Sequence, residues 1–186
     1  KTPGKPIQQT CLGRRQINTG YANLGESKFP GPCLNMRNQL TAVEVSAVVR
    51  HMPIVKSLVW KDEAETQLFA TRLAAQPALR QAFIELHGDL GAGKTTLARH
   101  LLHALGVQGR IKSPTYAVVE PYVLSDLNIW HFDFYRFSDP REWEEAGFRD
   151  IFSSPGLKLA EWPEKAAKVI PKADLVIRIE VRADDT

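Results

Sequence analysis

The segment FIELHGDLGAGKTTLARHLL, residues 83–102, restricts the chain to few folds. Phe83, Ile84 and Leu86 form a short apolar run that predicts a strand, and Thr96 to Leu105 predicts a helix. Between them, Gly88-Asp89-Leu90-Gly91-Ala92-Gly93-Lys94-Thr95 fits G-x-x-x-x-G-K-[ST]. Glycines at those places let the backbone curve tightly and present its N–H groups to phosphate oxygens, which side chains would obstruct. Lys94 reaches the β- and γ-phosphates, Thr95 offers a hydroxyl to Mg²⁺, and the helix opening at Thr96 adds its positive end. Gly88, Asp89, Gly91, Ala92, Gly93, Lys94, Thr95 and Thr96 are therefore the expected nucleotide-binding residues. A strand followed by such a loop and a helix belongs in an α/β fold.

The charge is unevenly distributed. Of 186 residues, 1–51 carry seven Lys/Arg and two Asp/Glu, while the other 135 carry 17 and 19. The net +3 thus comes from a segment that holds both cysteines, Cys11 and Cys33, and the runs Lys1–Pro6 and Phe29–Pro32. That segment is expected to be a disordered extension or translated upstream sequence, with the start of the protein at Met52; a basic tail is the other reading. Residues 52–186 are expected to be one phosphate-loop domain of net charge −2, which gives a nucleic-acid patch little support. The absence of cysteine from Met52 onward suits a reducing cytoplasm, and no apolar run is long enough for a membrane span.

The rest of the domain alternates in period. Ile54, Val55, Leu58 and Trp60 predict a first strand, and Asp62 caps a helix bearing Ala64, Leu68, Phe69 and Leu73 that ends near Gln76-Pro77. After the loop helix, closed by Gly106, strands are expected over Tyr116–Val123 and Ile129–Tyr135 around a turn at residues 125–128. A short helix over Arg141–Ala146 and strands over Leu157–Trp162 and Leu175–Val181 follow. The fold predicted is a three-layer α/β sandwich around a mixed central sheet, of the P-loop NTPase kind.

Binding a nucleotide is not hydrolysing it, and three further segments bear on turnover. Ser113-Pro114-Thr115 sits where switch-like loops follow the loop helix, so Thr115 either meets Mg²⁺ or the γ-phosphate or lies in an ordinary turn. In Ile129–Arg136, Asp133 stands among large apolar residues, where a carboxylate needs a cation or strong donors. His131 shares its strand face and reads more readily as a structural histidine; Arg136 pairs with Glu142 or Glu145, or else meets phosphate. Glu161 ends the strand Leu157–Trp162, and carboxyl ends of such strands border the ligand crevice. Trp162 lies either in the core or over the nucleotide.

GDLGAGKTT, SPTY, HFDFYR and EW, in this order and spacing, resemble the bacterial threonylcarbamoyladenosine-biosynthesis ATPase family (TsaE, formerly YjeE), from about Trp60 to the end of the chain. The resemblance implies a small cytoplasmic ATPase using ATP and Mg²⁺. It also implies service to a TsaB–TsaD complex that installs threonylcarbamoyl on tRNA, with tRNA met indirectly. It makes Lys94, Asp133 and Glu161 the catalytic residues, Thr95 and Glu161 the metal ligands, and Thr115 and Trp162 neighbours of the nucleotide. Residues 1–51 have no counterpart in that pattern, and the ending Asp184-Asp185-Thr186 raises the expectation of a truncated C-terminus. The alternatives are a small-molecule kinase, for which Arg141 and Arg149 form no obvious lid, and a nucleotide-gated binding module. A GTPase is disfavoured because no N-K-x-D occurs.

Overall fold

The computed structural model describes residues 41–49 and 52–181. Seven strands form one sheet: β1 (Thr41–Val49), β2 (Met52–Trp60), β3 (Phe83–His87), β4 (Val119–Val123), β5 (Asn128–Asp133), β6 (Leu157–Glu161) and β7 (Leu175–Val181). Their spatial order is β2-β1-β7-β3-β6-β5-β4. The inner strands β7, β3, β6 and β5 run parallel, while β1, β2 and β4 add antiparallel partners at the flanks. Four helices accompany the sheet: α1 (Glu63–Ala74), α2 (Lys94–Ala104), α3 (Pro140–Glu145) and α4 (Phe148–Ser153).

Alternation along the parallel strands gives two cores, one for each face. Ile84, Leu86, Ile129, Leu157, Leu159, Ile177 and Ile179 pack with Leu97, Leu101 and Leu102 of α2 and Ala70 of α1. Phe83, Phe132, Phe134 and Ala160 pack with Trp143 and Phe148 of α3 and α4. The second core is aromatic: Phe132 stacks on Phe134 at 5.4 Å between centroids and meets Phe148 edge-on at 5.5 Å. The layers are those expected for the α/β sandwich.

Local signals account for most boundaries. Asp62 Oδ1 accepts from Glu65 N at 3.0 Å, while Glu65 Oε2 accepts from Lys61 N at 2.7 Å, together starting α1. Pro77 follows its end and opens a single 3₁₀ turn. Gly106, at φ 106°, lies just beyond α2.

Three expectations need correction. Thr41–Val49 falls within the segment assigned to an extension, yet it forms β1, hydrogen-bonded to β2 on one side and β7 on the other, with Val43 buried. Val43, Val45 and Ala47 alternate with Glu44 and Ser46 at the strand period, but the neighbour β7 is distant in sequence, so the pairing could not be read locally. The rest of the expectation about residues 1–51, and that about the C-terminal ending, lie outside the described residues. The strand expected from Tyr116 begins only at Val119, because residues 115–117 turn and Val118 adopts φ 64°. Finally, α4 was not anticipated: its six residues are too few to show a helical period.

Candidate functional site

The loop Gly88–Gly93 leaves β3 at the carboxyl edge of the parallel strands, beside the ends of β5 and β6. Leu86 on β3 and Asp133 on β5 both lie in register with Glu161 on β6. The pairing brings Leu86, Asp133 and Glu161, separated by 47 and 28 positions of sequence, onto one edge, where an open α/β sheet presents its crevice. Gly88 is obligatory there. At φ 141° it passes so close to β7 that a Cβ would stand 2.3 Å from the Ile179 carbonyl oxygen. Gly93, at φ 106°, then turns the chain into α2.

The Lys94 side chain folds back along the loop and is almost wholly buried. Its ammonium donates to Gly88 O at 2.6 Å and Asp89 O at 2.8 Å, and its Nζ sits 3.8 Å from the centroid of the Trp162 ring. Burial lowers the Lys94 pKa below the ordinary lysine value; the carboxylates of Glu161, Glu164, Asp133 and Asp89 oppose that shift, Glu161 most.

Glu161 connects the loop helix to the sheet interior. Its Oε2 accepts from Thr95 Oγ1 at 2.7 Å, and its Oε1 lies 2.9 Å from His131 Nε2. Both His131 and Glu161 are buried, at 0% and 2% exposure, so the carboxylate is held from two sides away from bulk water. His131 was expected to be structural; it is buried as a structural histidine would be, yet it touches the carboxylate at the site. Its Nδ1 has no hydrogen-bond partner among the described residues.

Asp133 forms a second cluster. Its Oδ2 accepts from Ser113 Oγ and from Thr115 Oγ1, the latter at 2.7 Å, and its Oδ1 accepts from Tyr135 N at 2.9 Å. The donors demanded by its burial are thus two hydroxyls and an amide, with no cation bonded to it among the described residues. The Ser113-Pro114-Thr115 segment is consequently tied to β5, and Ser113, given no separate role by sequence, makes one of the ties. An i, i+2 pair of hydroxyls across a proline was the only local signal for it.

Trp162 joins the aromatic core to the loop that carries Lys94. It is half-buried against the aromatic core, meets Tyr135 in a tilted pair at 5.0 Å between centroids, and covers the Lys94 ammonium. Its φ of 56° places a bulky residue in the left-handed region, a conformation costing on the order of 1–2 kcal/mol. Val118, at φ 64°, carries the same kind of strain at the far end of the Ser113–Thr115 segment. Arg136 lies over the Tyr116 ring at 4.6 Å, and Arg141 and Arg149 are held in exposed local pairs with Asp139 and Glu144. The arginines considered for a kinase lid therefore do not converge on the loop. The side chains of Glu142 and Glu145, the partners considered for Arg136, lie outside the described residues.

The family model described as "Threonylcarbamoyl adenosine biosynthesis protein TsaE" matches residues 60–186. The chain is 44% identical over 116 residues to the tRNA threonylcarbamoyladenosine biosynthesis protein TsaE of Haemophilus influenzae, covering 62% of this chain and 73% of that one. It is 34% identical over 133 residues to the protein of the same name from Bacillus subtilis, covering 70% and 82%. The crystal structure of B. subtilis YdiB superposes with a TM-score of 0.54 at 31% identity, covering 71% of this chain and 82% of that one.

Proposed function

The chain belongs to the TsaE family of threonylcarbamoyl adenosine biosynthesis proteins, and from that premise we propose that it is a Mg²⁺-dependent ATP hydrolase. It takes part in threonylcarbamoyladenosine formation on tRNA, and it serves there as accessory subunit to a TsaB–TsaD type complex in the cytoplasm. The observation that carries the hydrolase reading is the 2.7 Å contact between Thr95 and Glu161, made across 66 positions of sequence at the mouth of the phosphate loop.

The residues present suit Mg²⁺. Thr95 and Glu161 contribute hard oxygen donors, and no cluster of three His, Cys, Asp or Glu occurs among the described residues. That donor set fits an ion held by one carboxylate, a hydroxyl and substrate phosphates rather than by an all-protein cage. When bound, the ion would neutralise charge on the β- and γ-phosphates. Loop N–H groups and the Lys94 ammonium bind the same phosphates and align them. Thr115, tied to Asp133, would serve as sensor of the γ-phosphate, and Asp133, its carboxylate already fixed by three donors, would orient the attacking water. His131 holds Glu161 in place from below. ATP and water then give ADP and phosphate.

The test is phosphate release from ATP by the chain alone and with a purified TsaB–TsaD complex, alongside threonylcarbamoyladenosine yield on tRNA. Hydrolysis that depends on Mg²⁺ and Lys94 supports the reading. Absence of hydrolysis in both settings refutes the hydrolase assignment, and full modification without this chain refutes the accessory role.

A further inference from the structure

A cationic recess of about 590 Å³ lies on the α2 side of the Ser113–Thr115 segment, lined by Arg99, His103, Arg110, Ile111, Lys112 and Ser113. Residues 99–113 contain no Asp or Glu, although the domain as a whole is net acidic. Arg110 and Lys112 are exposed, and no carboxylate among the described residues pairs with Arg99, Arg110 or Lys112. Arg99 is oriented into the recess wall by donating Nε to Ile111 O at 3.4 Å. Three cations thus converge on one concavity without internal compensation. Surface cations left uncompensated in a concave site raise the local concentration of an anionic partner.

The recess shares Ser113 with the Asp133 cluster, so it adjoins the residues proposed to sense nucleotide. We propose that this recess is the docking site for a carboxylate-bearing segment of the protein partner, a proposal that rests on the partner-dependent reading above. The shape decides between a protein and an RNA occupant. An RNA track of ordinary affinity neutralises roughly six to ten phosphates along a continuous basic path, and single-stranded tracks add stacking aromatics. Here the cations are confined to one recess in an acidic domain, and no Phe, Tyr or Trp lines it. A short run of Asp or Glu side chains matches both its size and its charge, with arginine forks available for bidentate pairing.

The proposal is tested by fluorescence anisotropy with labelled hexaglutamate, with hexaglutamine, and with a single-stranded RNA of about twelve nucleotides, at low ionic strength. The full chain is compared with Arg110→Glu/Lys112→Glu and with the milder Arg110→Gln/Lys112→Gln, and ATP affinity is measured on each sample. Hexaglutamate is expected to bind the unaltered chain, to lose at least tenfold in the charge-reversed variant and less in the neutral one, and hexaglutamine to stay unbound. ATP affinity should be unchanged throughout. If ATP fails to bind any sample, the hydrolase reading falls while the docking site stands on the peptide result. Hexaglutamate that does not bind, or binds all variants equally, overturns the proposal. So does RNA that binds more tightly than the peptide and is lost in the same variants, which would make the recess a nucleic-acid site.

Discussion

Replacing Glu161 separates stability from turnover more cleanly than any other single change at this site. In Glu161→Ala, the buried His131 Nε2 and the half-buried Thr95 hydroxyl both lose their acceptor. The stranded His131 nitrogen costs about 1–3 kcal/mol and the half-buried Thr95 hydroxyl less, and the truncated side chain leaves a void; relief of the buried carboxylate's desolvation offsets part of this. A net loss of roughly 2–4 kcal/mol follows. Glu161→Gln keeps the volume and an oxygen for Thr95, and it removes the charge. Its amide can donate to His131 Nε2, with the ring proton moved to Nδ1. The expected stability loss is about 1 kcal/mol or less. Turnover should separate the two effects, because both variants lack the carboxylate proposed to hold Mg²⁺. Single-turnover phosphate release should fall by roughly 100-fold or more in Glu161→Gln, while ATP still binds. Urea unfolding of the same samples supplies the stability scale. Glu161→Gln that hydrolyses ATP within threefold of the unaltered chain would refute the role assigned to the carboxylate. A Gln variant as unstable as the Ala variant would refute the account of the hydrogen bonds.

Lys94 should respond to alkali in two opposite ways. With its pKa lowered in the folded chain, the unfolded chain binds more protons in the window just below the ordinary lysine value. The Lys94 contribution to stability therefore rises with pH across that window, whereas ATP affinity falls as the ammonium is lost. Isothermal titration at stepped alkaline pH should show this fall, absent in Lys94→Ala, whose affinity is already low; a flat profile in the unaltered chain would contradict it. Trp162 emission should change on adding ATP with Mg²⁺, because its ring lies against the Lys94 ammonium, and Trp162→Phe should abolish that change while leaving the signals of Trp60, Trp130 and Trp143. A response that persists in Trp162→Phe would assign it to another tryptophan. Deleting residues 1–51 removes β1 from between β2 and β7, so its unfolding midpoint should fall well below that of a deletion of residues 1–40; equal midpoints would deny β1 its place in the sheet.

The loop, its flanking strand and helix, and the capping of α1 were legible because each depends on residues within a few positions of one another. Asp62, the glycines at 88, 91 and 93, and Lys94 report local dihedrals and local hydrogen bonds. The strand ends Asp133 and Glu161 could likewise be placed at a sheet edge from apolar alternation alone. What tertiary structure decided was pairing. Nothing local couples Thr95 to Glu161 or His131 to Glu161, since those contacts exist only once β6 lies between β3 and β5, and Ser113 meets Asp133 only across 20 positions of sequence. The same holds for β1, whose register with β7 spans more than a hundred positions, and for the recess formed where α2 faces the loop behind it. Sequence alone determined the phosphate-loop motif between its strand and helix; long-range strand order determined which carboxylates and hydroxyls surround that loop.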